Sequence, residues 1–452
     1  MKRFLRKAFW LWICWIQPID GTLAAAPNHE KLMAGYAEMD ITPELGVTMP
    51  GYFEERRASA VLDPLMAKAL VLTKDGVTLA IIAMDLIGID APIAARIRHE
   101  VQEKTGIPAH CVFLHATHTH TGATVSEIAE RLPAQAALTV GKALDGQVAE
   151  THVTLGEVEE KSVAFIRRYL MKDGTVRTNP GHANPEIVRP IGEIDPAVTA
   201  LAFETARILL VSYGLHLDCI GGDKFSADYP HHLTVGVRES LGAGWNVIFL
   251  NACCGNVNHF NVKDPNQRSG YEESRRIGRI LAKAALSAHK NAAPISIGVL
   301  GAKSETVPCP IRKVAPEDYQ WAKEEMEKNP EAASKRQFNE RTPERIIALA
   351  ETKEKSHPAE IVVFRLGPIG LVGLPAEVFT ENARDIKVHS LLRPTLAIGL
   401  VGGDMGYMPH ARGYREGGYE ATYASAQYAP ETPVLWCETA ARLIGELTRE
   451  EP

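Results

Sequence analysis

The sequence predicts an α/β fold in which a mixed β-sheet core is flanked by helices within a single large domain. Two apolar runs, residues 69–73 and 77–84, are separated by Lys-Asp-Gly, which predicts a β-hairpin with an Asp-Gly turn. A helical pattern and another apolar strand follow the hairpin, and strands and helices recur towards the C terminus. Such alternation is typical of a sheet covered by helices.

The first strand–helix–strand unit directly follows the hairpin. Asp90 is a candidate helix cap, Gly106 a helix end, and the apolar stripe between them consists of Ile93, Ile97 and Val101. Residues 111–115 are predicted to form a buried strand, so the unit is a right-handed βαβ crossover. The residues after this strand should therefore lie at the carboxyl edge of the sheet, where α/β proteins usually bind ligands.

The remaining elements follow the same pattern. Strands are predicted at residues 208–216, 245–250, 361–366 and 369–372, and helices at residues 271–288 and 379–386. Residues 315–357 are instead rich in Glu and Lys, with Tyr319, Ala322 and Met326 at helical spacing, which predicts a charged helical insertion. Because no clear linker divides the chain, residues 27–452 are predicted to form one domain that contains this insertion.

The N-terminal segment has the pattern of a signal peptide. Four basic residues between positions 2 and 7 precede the apolar residues 8–16, which are too few to span a bilayer, and three alanines follow at 24–26. We predict that residues 1–26 are a signal peptide and that the mature protein is secreted or periplasmic. An uncleaved N-terminal membrane anchor is the alternative.

The composition indicates an ordinary globular protein and gives no sign of nucleic-acid binding. The 452 residues carry a formal net charge of −6, with 45% hydrophobic and 23% charged residues. Six cysteines follow the predicted signal peptide, at spacings that fit neither a small disulfide scaffold nor a zinc finger. One disulfide and a set of reduced, buried thiols are both compatible with these positions, and the oligomeric state stays open.

Two histidines directly after the 111–115 strand form the first candidate site. Residues two apart in an extended segment point to the same side, so His118 and His120 can face one cavity. Imidazoles are common zinc ligands, and a catalytic zinc ion needs three protein ligands and an open position. The alternative is a group of core and surface histidines that bind no metal.

Further candidate donors lie far along the chain. His216 follows an apolar strand, and Glu377 follows another and is predicted to open a helix, where a carboxylate would also suit the helix dipole. Aspartates near His216 are candidates for orienting a histidine, and two further histidines compete for a ligand role. These neighbours are Asp218, Asp223, Asp228, His231 and His232.

A glycine-rich segment near the C terminus contains Tyr407, Tyr414 and Tyr419. Such a loop must be held by tertiary contacts, as functional loops often are. A tyrosine hydroxyl can donate a hydrogen bond to an oxyanion, and as a phenolate it can bind a metal. Packing alone is the alternative explanation for any one of the three.

The adjacent Cys253 and Cys254 suggest a different chemistry, a thiolate nucleophile assisted by the nearby His259. Their surroundings are rich in Asn and Gly and follow a predicted strand. This context favours a tight turn over a nucleophile.

Together these segments resemble the neutral/alkaline, non-lysosomal ceramidase family. Residues 117–122, Thr-His-Thr-His-Thr-Gly, are similar to its Thr-His-Thr-His-Ser-Gly signature, and residues 373–380 are similar to its Leu-Pro-Gly-Glu-Pro-Phe-Thr element. Tyr407 and Tyr419 keep the family's twelve-residue spacing between two functional tyrosines, and the second stands before a glutamate. The resemblance spans about residues 34–447, which correspond to the N-terminal catalytic domain of the family.

The resemblance implies one catalytic zinc ion, with ligands at four positions of this chain. These positions are His118, His216, Glu377 and Tyr407.

It also implies three catalytic side chains around the metal. His120 would lie beside the ion without binding it, and Tyr419 corresponds to the catalytic tyrosine of the family. The family's active-site arginine belongs to an Asn-Arg-Ser-Pro element, whose nearest counterpart here is Arg167, with Arg168 as the alternative.

The chain departs from the family pattern at three places. The resemblance stops before the family's C-terminal immunoglobulin-like domain, and the Asn-Arg-Ser-Pro element is altered. The family's Gly-Asp-Val-Ser-Pro-Asn segment appears as Gly-Asn-Val-Asn-His-Phe at residues 255–260, with Asn258 in place of the serine. The missing hydroxyl favours a metal-activated water as the nucleophile.

We therefore expect a zinc-dependent amidohydrolase that cleaves the N-acyl amide bond of ceramide-like lipids to a fatty acid and a sphingoid base. The substrate would be a small amphiphilic N-acyl molecule, and peripheral membrane contact fits such a substrate. One alternative is a zinc hydrolase of another N-acyl compound, an ester or a peptide. Another is a non-catalytic binding protein on the same scaffold.

Overall fold

The computed structural model describes residues 31–331 and 341–449. The predicted signal peptide, residues 1–26, lies outside this described part, as does the middle of the predicted insertion. Within residues 31–331 and 341–449, no helix has both the length and the apolar composition needed to cross a bilayer.

The strands of the described residues are numbered here in chain order. They are β1 (Met33–Asp40), β2 (Thr48–Met49), β3 (Arg56–Arg57), β4 (Ala60–Val61), β5 (Met66–Lys74), β6 (Val77–Met84), β7 (Val112–Ala116), β8 (Val148–Ala149), β9 (Val153–Glu159), β10 (Phe165–Ile166), β11 (Arg168–Met171), β12 (Val176–Thr178), β13 (Ile187–Pro190), β14 (Ala197–Phe203), β15 (Ile208–Tyr213), β16 (Lys224–Phe225), β17 (Asn246–Asn251), β18 (Val257–Asn258), β19 (Ala293–Ile295), β20 (Leu300–Pro310), β21 (Ser356–Leu366), β22 (Ile369–Gly373), β23 (Glu377–Val378), β24 (Thr395–Ile398) and β25 (Tyr407–Met408).

The α-helices are numbered in the same way. They are α1 (Ala91–Thr105), α2 (Val125–Ile128), α3 (Leu132–Asp145), α4 (Tyr229–Leu241), α5 (Tyr271–Lys290), α6 (Pro316–Lys328), α7 (Pro343–Glu351), α8 (Thr380–His389), α9 (Ala411–Glu416) and α10 (Thr432–Arg449).

The first sheet contains the predicted hairpin and the βαβ unit. Its strand order is β7-β6-β5-β1-β8. Strands β5 and β6 pair antiparallel across Asp75 and Gly76, whose φ angles of 47° and 78° are those that a tight Asp-Gly turn requires. Helix α1 joins β6 to its parallel neighbour β7 and ends at Gly106, which has a φ of 75°. Helix α1 packs against α3, and α3 covers β1 and β5.

Two further sheets complete the core. The second has the order β17-β15-β14-β9-β19 and is covered by α4 and α5, where α5 buries Ile277, Leu281 and Ala285. The third has the order β20-β21-β22-β24 and packs against α10. Each sheet therefore buries one face under helices whose apolar residues recur at helical spacing.

One parallel strand pair in each sheet positions the candidate site. These pairs are β6·β7, β15·β17 and β22·β24. The segments that follow β7, β15 and β22 carry His118, His216 and Glu377. Isolated bridges, from His115 to Val401 and from Ala252 to Ile398, join the edges of the three sheets, so the carboxyl ends of these strands meet at one place.

The predicted fold class is confirmed: a mixed α/β core is flanked by helices, and the charged insertion forms α6 and α7. The core is divided among three main sheets rather than built on one. The prediction that Glu377 opens a helix is wrong. Glu377 lies in the short strand β23, which pairs with β25, and α8 begins only at Thr380, so the helix-dipole explanation for Glu377 does not hold.

Candidate metal centre and catalytic cavity

A cavity of about 620 Å³ lies where the three sheets meet. Six of the seven sequence-predicted site residues line it, and the seventh, His216, lies fully buried directly behind them. The lining members are His118, His120, Arg167, Glu377, Tyr407 and Tyr419. Residues separated by about 300 positions in the sequence thus share one wall of one cavity.

The three imidazoles have the same hydrogen-bond arrangement. Nδ1 of His118 lies 2.7 Å from the carbonyl oxygen of Ile87, and Nδ1 of His120 lies 3.0 Å from that of Gly51. Nδ1 of His216 lies 3.0 Å from the carbonyl oxygens of both Cys254 and Val257. A carbonyl only accepts hydrogen bonds, so each Nδ1 carries the proton and each Nε2 presents a lone pair.

These histidines face one another closely enough to bind a single ion. Their candidate ligand atoms all lie within 4.8 Å of one another. The ring of His118 lies 5.0 Å from that of His120 and 4.7 Å from that of His216. Nε2 of His118 and Nε2 of His120 are buried and make no hydrogen bond to the described residues. Buried acceptors without partners are costly, which is the condition that a bound cation would relieve.

The backbone at His118 is held in an uncommon conformation. Its φ is 80°, in the left-handed region that non-glycine residues rarely adopt. Its amide donates to the carbonyl of Leu86, and its ring donates to the carbonyl of Ile87, so the loop is fixed at both atoms. Such strain persists where the surrounding structure fixes the residue, and it is frequent at functional sites.

Glu377 adds a carboxylate to the histidine group. Its Oε2 lies 3.3 Å from Nε2 of His118 and 3.0 Å from Nε2 of His216. Although burial acts to raise it, the pKa of Glu377 is held well below its usual range, chiefly by the nearby His118. Burial acts to lower the pKa of His118, but the nearby Glu377 carboxylate outweighs burial and raises it. Two imidazole lone pairs and a carboxylate converge here, an arrangement that requires either a shared proton or a cation.

Arg167 connects the histidines to the C-terminal tyrosine segment. Its Nε donates to Oε1 of Glu420 at 2.7 Å, its Nη2 donates to the carbonyl of Gly255 at 2.8 Å, and its Nη1 lies 3.2 Å from Nε2 of His216. Burial and the Arg167 charge lower the pKa of His216, which keeps that imidazole neutral. The alternative Arg168 does not line the cavity: its guanidinium contacts Glu416 and the carbonyl of Gly417, and its Nε lies 3.7 Å from Oε2 of Glu420.

The two tyrosines of the twelve-residue pair lie side by side. Tyr407 stands directly opposite Glu377 in the parallel pair β23·β25, and its ring lies parallel to that of His216 at 6.5 Å. The ring of Tyr419 is 5.7 Å from that of Tyr407, edge to face. Gly418, with a φ of 88°, permits the turn that brings Tyr419 into the cavity. The third tyrosine, Tyr414, lies outside the lining, and its hydroxyl contacts the sulfur of Met408.

Other candidates from the sequence have different roles. Asp228 caps the start of α4, which carries His231 and His232. Asp218 is one of the three aspartates predicted as candidates for orienting a histidine. It pairs with His259, whereas backbone carbonyls orient His216. His259 is therefore not a partner of Cys254. All six described cysteines are free thiols, and burial raises the pKa of Cys253 to about 12.

Several lining residues had no distinguishing signal in the sequence. Tyr52 stacks edge-on against His120 at 5.8 Å, and Phe53 against Tyr419 at 6.1 Å. Only the hairpin between β2 and β3 places these two aromatics at the cavity. The other members of this group are Asn179, Asp404, Met405, Gln427 and Tyr428.

A second cavity, of about 610 Å³, can be compared with the candidate catalytic cavity. It is lined mainly by apolar residues of the β10–β13 region, including Ile166, Tyr169 and Ile194. It has a similar volume but no histidine in its lining. Volume alone therefore does not distinguish the candidate site; the converging donors do.

Comparisons with known proteins agree with this geometry at the level of the fold. The structure is similar to that of neutral ceramidase from Pseudomonas aeruginosa, with a TM-score of 0.72 and 18% sequence identity over 93% of this chain and 75% of that chain. It is also similar to a ceramidase complexed with C2, with a TM-score of 0.73 and 17% identity over 93% of this chain and 76% of the other. No family model and no curated protein matches the sequence.

The chain thus has the ceramidase fold and carries a histidine-rich candidate metal centre at the meeting point of its sheets. At 17–18% sequence identity, this structural likeness confirms the predicted resemblance to ceramidases at the level of the fold.

Proposed function

We propose that this chain is a zinc-dependent amidohydrolase of the neutral ceramidase family that cleaves the N-acyl amide bond of ceramide-like lipids. The observation that carries the proposal is the group of three imidazoles, each with Nδ1 at a backbone carbonyl, whose ligand atoms lie within 4.8 Å of one another. Oε2 of Glu377 lies beside Nε2 of His118 and Nε2 of His216. Zinc sites commonly use such neutral, oriented imidazoles together with a carboxylate. The ceramidase fold of the chain supports the same activity.

The donors of this chain fit one zinc ion. His118, His216, Glu377 and Tyr407 would hold it, as the family resemblance implies, and a bound zinc would lower the pKa of a water towards ~7 and polarise the substrate carbonyl. Nitrogen and oxygen donors without a thiolate suit zinc, although they also suit other divalent metals. His120 lies in the same histidine group, and its role beside the ion rather than on it is part of the proposal.

The remaining side chains act on the substrate and its protons. Burial and the neighbouring His118 lower the pKa of His120 to about 3, so its Nε2 is a free acceptor at neutral pH. His120 can take a proton from the attacking water and pass it to the nitrogen of the leaving amine. Water adds to the amide carbon, the C–N bond breaks, and a carboxylic acid and an amine leave.

Two groups would stabilise the negative charge that develops on the carbonyl oxygen. The Tyr419 hydroxyl can donate a hydrogen bond to it, and Arg167, which lines the same cavity, would orient the substrate or stabilise the negative charge. Contact with a lipid surface is part of the proposal, since the substrate is an amphiphile. Secretion by a cleaved signal peptide is also proposed, from the pattern of residues 1–26.

Metal analysis combined with a fluorogenic ceramide assay tests the proposal. The purified protein should contain zinc, hydrolyse the substrate, lose both properties on chelation and regain both on addition of zinc. Hydrolysis that persists in protein stripped of all metal would contradict the metal assignment. A zinc-loaded protein that cleaves no N-acyl amide, ester or peptide would identify a binding protein on this scaffold.

A further inference from the structure

Asp218 and His259 form an ion pair at the wall of the catalytic cavity. Oδ1 of Asp218 lies 3.0 Å from Nδ1 of His259, and Asp218 lines the cavity. Only 18% of the Asp218 side chain and 12% of the His259 side chain are exposed. The pair is therefore largely buried, yet it opens onto the space that would hold the substrate.

One oxygen of this carboxylate remains available. Among the described residues, Oδ2 of Asp218 has no hydrogen-bond partner. Two neighbours on the cavity wall offer similar unused groups. Oδ1 of Asn179 accepts a hydrogen bond from Asn258, while its Nδ2 makes no hydrogen bond to the described residues. The Tyr52 hydroxyl likewise has no hydrogen-bond partner among them. These groups form a polar wall that could bind a polar part of a ligand.

The polar wall lies on the His120 side of the cavity. Thr119 and Leu217 form a backbone bridge, and the amide of His120 donates to the carbonyl of Leu217 at 2.9 Å, so Asp218 follows directly on this contact. Tyr52 stacks against the His120 ring. Because His120 is the proposed proton donor to the leaving nitrogen, the amine half of the substrate should lie beside Asp218.

The pair also coincides with a departure from the family pattern. Proline stands in the family's Gly-Asp-Val-Ser-Pro-Asn segment where this chain has His259. A proline has no side-chain donor, so it could not hold Asp218 in this position. The polar wall is thus a feature of this chain rather than of that motif.

We propose that Asp218, held by His259, is a specificity-determining residue that accepts a hydrogen bond from an O–H or N–H group on the amine half of the substrate. The inference rests on the proposed amidohydrolase function. The favoured substrates are N-acyl amines with a hydroxyl or ammonium group next to the scissile nitrogen. Because His259 already balances the Asp218 charge, a neutral hydroxyl is the better match of the two.

Three substrates with one acyl chain test this assignment. Their amine halves differ only in ending with a methyl, a hydroxyl or an ammonium group. For the wild-type enzyme we expect kcat/KM for the hydroxyl substrate to exceed that for the methyl substrate by about 10- to 100-fold, the range for a hydrogen bond to a charged acceptor. Asp218→Ala should bring the two values together without lowering zinc content.

A second variant distinguishes a hydroxyl donor from an ammonium donor on the substrate. Asp218→Asn keeps an accepting oxygen but loses the charge, so the preference for the hydroxyl substrate should fall to about 2- to 10-fold, and any preference for the ammonium substrate should be lost. His259→Ala releases the carboxylate and should reduce the preference even if Asp218→Ala does not fold. The exposed Asp223 on the same loop is the matched control, and Asp223→Ala should leave the ratio unchanged.

Binding of the free amines to the metal-free protein, measured by calorimetry, gives a readout without turnover. The amino alcohol or diamine should bind more tightly than the methyl analogue, and Asp218→Ala should remove the difference. If the wild type and zinc-loaded Asp218→Ala cleave the three substrates with the same ratios of kcat/KM, the role of Asp218 is overturned, but the proposed amidohydrolase function is not. Absence of cleavage of any substrate by the zinc-loaded wild type overturns the proposed function as well.

Discussion

Two buried polar regions adjoin the loop at residues 117–121, and they differ in how their hydrogen bonds are satisfied. One is the histidine centre described above. The other, called the charge cluster here, contains Asp63, Lys68 and Asp85. In the charge cluster Asp85 accepts from Thr117 at 3.1 Å and from the amide of Met66 at 2.9 Å.

The other members of the charge cluster are also bonded. Asp63 accepts from Ser226 at 2.6 Å and from the amide of Ala227 at 2.7 Å, and the ammonium of Lys68 donates to Thr234 at 3.3 Å. In the histidine centre, by contrast, the buried Nε2 atoms of His118 and His120 have no hydrogen-bond partner among the described residues, whereas Nε2 of His216 lies 3.2 Å from Nη1 of Arg167. Buried polar groups therefore occur in both regions, while the unpartnered Nε2 atoms of His118 and His120 distinguish the histidine centre from the charge cluster.

The largest expected effect concerns the candidate ligands. His118→Ala and Glu377→Ala should each reduce zinc content and lower kcat/KM together by at least about 10³-fold, because a site with one donor missing loses the metal that polarises the substrate. Metal analysis and the amide assay measure both. The exposed His110 provides the control His110→Ala. Either ligand variant with full zinc and full turnover would show that its assignment is wrong.

Removal of one phenol should have a smaller effect and leave the metal in place. Tyr419→Phe should lower kcat by about 10²- to 10³-fold, as for loss of one oxyanion donor, with unchanged zinc content. Tyr414→Phe, in the same segment but outside the cavity, should keep kcat close to the wild-type value. If both variants turn over equally, Tyr419 is not the oxyanion donor.

The charge cluster should affect stability and its pH dependence rather than the chemistry. Burial raises the pKa of Asp63 from 3.8 to about 6, against the hydrogen bonds from Ser226 and Ala227. The folded protein then binds this proton more tightly than the unfolded chain, so the free energy of unfolding should fall as pH rises from about 4 to about 6, by on the order of 3 kcal/mol.

Asp63→Asn removes one titrating group and should make this part of the profile less steep, while Asp85, Asp228 and Asp404, whose pKa values burial also raises to about 6, keep their contributions. Urea unfolding at several pH values between about 4 and 7 measures it. Asp223→Asn, at an exposed position, should keep the wild-type slope. An unchanged slope in Asp63→Asn would mean that other groups set the pH dependence.

The smallest effect is expected at the thiols. Cys253→Ala and Cys254→Ala should keep kcat/KM within about threefold of wild type, because a buried thiol with a raised pKa supplies little thiolate. Steady-state kinetics on zinc-loaded protein measures this. Loss of turnover in a folded, zinc-loaded Cys254→Ala variant would revive the thiol mechanism.

The sequence predicted elements whose signals are local. The Asp-Gly turn, the Gly106 helix end and the apolar runs carry enough information to identify the hairpin and the βαβ unit. Glu377 was misplaced because its two-residue strand is stabilised by pairing with Tyr407, thirty positions away, and no local pattern reports such a bridge. The residues of the candidate site were selected by motif resemblance, and their roles stay predictions.

Other parts of the site could not have been predicted from local patterns. The carbonyl groups that orient the three histidines belong to loop residues 51, 87 and 254 and to residue 257 of the short strand β18, and backbone carbonyls are present at every position of any sequence. The pairing of Asp218 with His259 depends on the segment after β15 meeting the segment after β18 in space. In the sequence, nothing distinguishes Tyr52 and Phe53 from other aromatic residues, and only the folded hairpin places them at the cavity.

The candidate ligands come from segments that follow strands of three different sheets. Coordination of one ion by all of them would cross-link parts of the chain that otherwise meet through packing and a few isolated bridges. Assembly of this centre and folding of the domain would then be thermodynamically linked, with the holoprotein unfolding at higher temperature than the apoprotein. A cell that withholds the metal would accumulate a less stable chain, which proteases would degrade sooner.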